Sequence, residues 1–120
     1  VGLKQLQKLN KMNSIRKNFA KSYEKELHVE MKMPFTKDSA YHLYWICVKN
    51  RKLFRQKMSE KGIQTGTHYQ PIHTFSLYKN NVKLPITEKI GKEIVTLPMH
   101  PNLTENNLDK IIKLTNRFSG

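Results

Sequence analysis

The 120-residue sequence holds a single cysteine, Cys47, which excludes an internal disulfide and a cysteine-based zinc site. No apolar run approaches the roughly 20 residues that a bilayer-spanning helix requires, so no membrane partner is expected. Acids are few, 9 against 22 Lys and Arg, for a net charge of +13. That balance suits nucleic acid or another polyanion, and a free-standing basic binding module is the alternative reading of function. Arginine, however, is scarce: 4 Arg stand against 18 Lys, whereas readers of phosphates and bases favour the bidentate guanidinium. The cations are strewn along the whole chain, with no block of five or six, no aromatic ribonucleoprotein motif and no zinc-finger spacing. With 10 Asn and 9 Ile beside them, the lysines read as background composition, and no specific nucleic-acid partner is expected.

What is present suffices for one core. The hydrophobic fraction is 38%, with five Phe, five Tyr and one Trp, and the length suits a single domain over residues 1–120. No leader-like stretch opens the chain, so a cytoplasmic location is expected. Residues 3–27, without Pro or Gly, read as a long helix whose inward stripe is Met12, Ile15, Phe19, Tyr23 and Leu27. Lys4, Lys8, Lys11, Lys17, Lys21 and Lys25 lie on its opposite side. No capping residue precedes Val1, Gly2, Leu3 and Leu6, a pattern expected of a helix cut from a longer one.

Residues 28–39 read as a connection containing Pro34, and Tyr41–Val48 as a strand buried on both faces, with Cys47 packed inside it. Asn50 caps a helix running to about Lys61 that buries Leu53, Phe54 and Met58, and Gly62 ends it in the left-handed conformation. Ile63–Tyr69 is then a second strand returning beside the first. Thr87 caps a helix over Glu88–Val95 with Ile90, Ile94 and Val95 inward, and Thr96–Met99 is a short extended piece stopped by Pro98 and Pro101. Thr104 caps a last helix with a core stripe of Leu108, Ile111, Ile112, Thr115 and Phe118. The fold class is α+β, a short, mostly antiparallel sheet covered by helices.

The stretch Gly62–His73, GIQTGTHYQPIH, with Tyr78 just beyond, is the candidate site. His68, Tyr69, Pro71 and His73 crowd into six residues behind two glycines, a density of imidazole and phenol suited to aiming side chains rather than packing them. Taken alone, the same loop reads first as an ordinary one with locally satisfied histidines.

This loop, followed by TEKIGKEIVTLPMHPNLTENNLDKIIKL, resembles the carboxy-terminal part of the DegT/DnrJ/StrS family of pyridoxal-phosphate (PLP) sugar aminotransferases. The resemblance rests on Gly62 and Ile63, on His68, Tyr69, Pro71 and His73, on Leu97, Pro98 and Pro101, on Leu103 and Thr104, and on Gly2, Leu3, Gln5, Leu6, Lys8 and Leu9 of the opening helix. It spans essentially the whole chain in the expected order. Cys47 and Thr67 depart from the basic and aliphatic residues that members often carry there.

The resemblance implies the small domain of an aspartate aminotransferase-like fold, with residues 1–27 as the connecting helix. It implies a large domain outside this chain that carries the Schiff-base lysine, the acidic partner of the pyridine nitrogen and the phosphate-binding groups. The parent protein would be a homodimer that moves an amino group, commonly from glutamate, to a keto nucleotide-sugar destined for polysaccharide such as that of the cell envelope. His68, Tyr69 and His73 would bind substrate, and PLP would belong to the parent. The chain alone would bind no cofactor or metal, contain no catalytic residue and be inactive.

Overall fold

The computed structural model describes residues 2–78 and 81–119; Val1 of the family-like opening lies outside them. The long lysine-rich helix is present as α1, Gly2–Glu26. Only its C-terminal half meets the core: Phe19, Ala20 and Tyr23 are buried, Leu27 just beyond the helix is buried with them, and Ile15 packs against the cluster. Met12 is half-buried, while Leu3, Leu6 and Leu9 stand exposed on the N-terminal half.

The connection after α1 contains a two-residue strand, β1 (Met31–Lys32), too short to show any alternation in sequence. The expected strand over Tyr41–Val48 is shorter, β2 (Tyr44–Cys47), and it is not buried on both faces. Tyr44 and Ile46 are buried, whereas Trp45 and Cys47 are only half covered. The run is broken at Tyr41, which takes the left-handed φ of 49° and buries its ring stacked on Phe35, with centroids 5.6 Å apart. Its hydroxyl donates to the Pro34 carbonyl (3.2 Å) and accepts the Thr36 N–H, so this residue closes a turn instead of extending the strand.

Asn50 caps α2 (Arg51–Glu60) by accepting the Leu53 N–H at 3.3 Å. Phe54 and Met58, one turn apart, are buried; Leu53, rotated off that line, is 43% exposed and contributes less than its type suggested. Gly62 ends the helix at φ 80°, with its N–H on the Ser59 carbonyl and the Ile63 N–H on that of Met58, each at 2.9 Å. These two bonds form a Schellman motif that only an αL residue completes without strain.

Ile63–Tyr69 does not form a strand beside β2. Among the described residues it makes a single antiparallel bridge, Gly66 with Thr96, on the outer edge of β3 (Ile94–Leu97). The reason lies in the sheet order β1-β2-β3: both edges of β2 are already paired, so the returning chain meets the outer edge of β3 instead. Helix α3 runs Pro85–Glu93, starting two residues before the expected cap Thr87, because Pro85 occupies the first helical position where its missing N–H costs nothing. Ile94 and Val95 are therefore the first residues of β3, drawn into the sheet where the Glu93 carbonyl accepts the Val48 N–H at 2.9 Å.

Thr104 caps α4 (Glu105–Phe118) by accepting the Asn107 N–H at 3.1 Å; Leu108, Ile111, Ile112 and Thr115 are buried. Phe118 is half-buried, and the Lys57 ammonium and the Arg117 guanidinium lie over its ring at 5.4 and 5.7 Å. The architecture is thus a small antiparallel sheet covered by helices, with one contiguous core joining α1, β2, α2, β3 and α4. The Tyr23 hydroxyl donates to the Pro98 carbonyl (2.7 Å) and that of Tyr44 to the Met33 carbonyl (2.9 Å); burial pushes both phenols above their usual range. No helix among the described residues is long and apolar enough to cross a membrane.

Candidate functional site

The loop leaving α2 is held at successive points. Ile63 is buried, and Arg55 grips Thr65, its Nη2 donating to the carbonyl (2.9 Å) and its Nε to the hydroxyl (3.2 Å). Gly66 and Thr96 exchange backbone bonds of 3.0 and 2.9 Å. A Cβ on Gly66 would lie 2.5 Å from Thr96 Oγ1 and 2.6 Å from His68 Cε1, so glycine is required for the His68 ring to fold back over the chain. That fold-back gives the bond between His68 Nδ1 and Thr96 Oγ1, 2.8 Å.

The rings of His68 and Tyr69 meet edge to face with centroids 4.9 Å apart, across a cis peptide, and Tyr69 is 68% exposed. Next, Pro71 packs on Gly91 of α3, where a Cβ would sit 2.5 Å from Pro71 Cγ. A 3-10 turn over Ile72–Thr74 then turns His73 toward the same helix. His73 Nε2 lies 2.9 Å from Glu88 Oε1, and its side chain is only 13% exposed. Glu88 also accepts the Leu84 N–H at 3.3 Å, and the His73 bond, followed by the Leu84 bond, holds its carboxyl below the ordinary range.

The structure therefore brings His68 and Tyr69 together and ties His73 to a different element, α3. Tyr78, 57% exposed, follows on the same loop. Ile72, Phe75 and Leu77 add exposed apolar surface beside it.

Sequence reasoning missed the residues opposite His68. Arg16 of α1, His42, Gln64 and His100 line, with His68 and Thr96, a cavity of about 370 Å³. A neighbouring cavity of about 440 Å³ shares Gln64, Pro98 and His100 with it and reaches Lys110. Arg16 Nε is buried without a hydrogen-bond partner among the described residues, a state that costs about 1 to 3 kcal/mol where nothing relieves it. The signal for it was available, since Arg16 is the one arginine of a helix otherwise furnished with lysines. His42 and His100 lie outside every motif and gave none.

Cys47 lines a smaller cavity with Met31, Ile86 and Ile90; burial, then the Glu93 carboxylate, raises its thiol pKa, with Lys89 opposing. Among the described residues no group of three or more His, Cys, Asp or Glu is placed to hold a metal.

The sequence model of the DegT/DnrJ/EryC1/StrS aminotransferase family matches residues 1–115. The chain belongs to that family. Solved structures share the fold across nearly all of it. The aminotransferase TlmJ from Streptoalloteichus hindustanus is 25% identical over 97% of this chain, with a TM-score of 0.87, and an aminotransferase of the same family from Brucella abortus is 28% identical over 98%, with a TM-score of 0.75. The putative sugar aminotransferase Spr1654 from Streptococcus pneumoniae, solved in a PLP form, is 24% identical over 98%, with a TM-score of 0.87. The chain spans 34% of the length of each.

In this chain no described lysine has the surroundings of an aldimine lysine such as PLP forms with an enzyme. An aldimine lysine needs a closed pocket against the cofactor, and every described lysine is exposed or at most half-buried. Lys61, beside the loop, is exposed, and its carbonyl accepts from Lys110 Nζ at 2.8 Å.

Proposed function

We propose that this chain is the small domain of a longer PLP-dependent aminotransferase that moves an amino group, with glutamate as donor, to the keto group of a nucleotide-linked sugar. The observation that carries the reading is the family match over residues 1–115 in a chain that spans only 34% of its relatives' length. On this reading residues 1–27 connect to a large domain bearing the cofactor's anchors. The whole protein is a cytoplasmic homodimer, and the 120 residues alone are a single inactive domain.

His68, Tyr69 and His73 face the substrate. Imidazole and phenol each donate to or accept from sugar hydroxyls and diphosphate oxygens, and the seating of Pro71 on Gly91 limits how far the loop wanders. Because Glu88 occupies His73 Nε2, the ring offers substrate its Nδ1. The net charge of +13 adds a field that attracts a nucleotide diphosphate.

Two measurements test this. The 120-residue chain mixed with PLP is expected to give no stoichiometric internal-aldimine band; a band that shifts on adding glutamate overturns the inactivity. In the protein made from the complete reading frame, His73→Ala is expected to leave PLP bound and to lower kcat/KM for the keto nucleotide-sugar. Loss of a hydrogen bond worth about 0.5 to 3 kcal/mol, the larger values for a charged phosphate, corresponds to roughly severalfold to a hundredfold. Failure of that protein to aminate any keto nucleotide-sugar with glutamate would sink the assignment.

A further inference from the structure

The cavity between α1 and the edge of β3 has an unusual electrostatic lining. Arg16, His42, His68 and His100 all contribute to its wall, and none of its lining residues is acidic. Arg16 makes no ion pair among the described residues, and its Nε has no hydrogen-bond partner although it is shielded from water. A guanidinium stays charged, so this group lacks the counterpart that such a position ordinarily supplies. The opposite wall is pre-set: Gly66 and Thr96 are locked by two backbone bonds, and Thr96 fixes the His68 ring through Nδ1. With Nδ1 engaged, Nε2 is the ring nitrogen left to meet a ligand, and it carries the N–H in the tautomer whose Nδ1 accepts the Thr96 hydroxyl proton.

We propose that this cavity binds a small oxyanion, a carboxylate or a phosphoryl group, held by the Arg16 guanidinium with His42, His68 and His100 around it. A planar fork of N–H donors matches either anion in two-point geometry, and imidazole N–H groups complete the ring of donors without any acid to repel the ligand. The site shares His68 with the substrate-facing loop but differs from it in being built by α1, His42 and the residues after β3 as well. It stands on the cavity alone and needs neither PLP nor a large domain, so its failure and that of the aminotransferase reading are separable.

The test is a titration of the isotopically labelled 120-residue chain with inorganic phosphate and, separately, with succinate, at about 0.15 M ionic strength to screen exposed lysines. Proton–nitrogen correlation spectra are read at Arg16 Nε and at the Gly66 and Thr96 amides. Saturable shifts at these three positions are expected. Arg16→Gln is expected to weaken binding tenfold or more, and His100→Gln, at an exposed position, severalfold. The second variant keeps the test decisive where the first perturbs α1. Tighter binding of phosphate than of succinate assigns a phosphoryl ligand and the reverse a carboxylate; either supports the site. Shifts that never saturate, or that persist unchanged in both variants, overturn it.

Discussion

Gly91 sits inside α3, where alanine would ordinarily be worth about 0.8 to 1.0 kcal/mol more than glycine. The structure reverses that preference, because an alanine methyl would lie 2.5 Å from Pro71 Cγ and 2.7 Å from its Cδ. Proline cannot swing its ring aside as a flexible side chain would, so the loop or the helix must shift, at an overpacking cost of about 1 to 3 kcal/mol. Gly91→Ala should therefore leave stability unchanged or lower it by up to about 2 kcal/mol, despite the better helix former. For a domain of this size that is a fall in Tm of up to about 8 °C, at about 4 °C per kcal/mol. The decisive assay is a double-mutant cycle by urea unfolding. In a Pro71→Ala background the ring is gone, and adding Gly91→Ala should now stabilise by about 0.8 to 1.0 kcal/mol. The sign of one substitution thus depends on a residue twenty positions away. If Gly91→Ala stabilises equally in both backgrounds, the seating of the loop on α3 is refuted.

Further outcomes are expected elsewhere. Glu88 has its folded-state pKa lowered, so the stability it contributes is complete above the unfolded carboxyl value of about 4.3 and is lost as pH falls through the lower folded value; the Tm difference between wild type and Glu88→Gln should shrink on acidification, and a difference that grows contradicts the His73 contact. Tyr23→Phe strands the Pro98 carbonyl and should cost about 1 to 3 kcal/mol in urea unfolding; a loss below about 0.5 kcal/mol would mean that water replaces the hydroxyl. Thr104→Ala removes the cap on Asn107 N and should cost about 0.5 to 2 kcal/mol by the same measurement, with an unchanged midpoint counting against the cap.

The elements that sequence reasoning located well are those fixed by neighbours in the chain. Asn50, Gly62 and Thr104 each act within a few residues of themselves, and α2 and α4 begin or end where these residues dictate. Two local signals competed at α3, and Pro85 prevailed over Thr87 because a first-turn proline sets the helical φ two residues earlier. The edge taken by Gly66 was not legible, since it depends on β2 already having β1 on one side and β3 on the other. In the same way, the motif pointed to His68, Tyr69 and His73 but not to their partners. Thr96 and Glu88 lie 28 and 15 residues away in sequence, and only the fold brings them to the rings.

Helix α1 is gripped at one end only. Gly2 stands 17 positions before Phe19, the first buried residue, a span of about 25 Å at 1.5 Å per residue, and this arm carries exposed Leu3, Leu6 and Leu9. It is a cantilever. Each degree of tilt at the gripped end displaces Gly2 by about 0.4 Å. The aim of the far leucines is thus set by a clamp of very few side chains, chiefly Phe19, Ala20, Tyr23 and Leu27, with the Tyr23–Pro98 bond as its locking pin. A repacking too small to register in the core would be magnified into ångströms at the helix tip, which makes Tyr23 the point that sets the angle between this core and the exposed leucines.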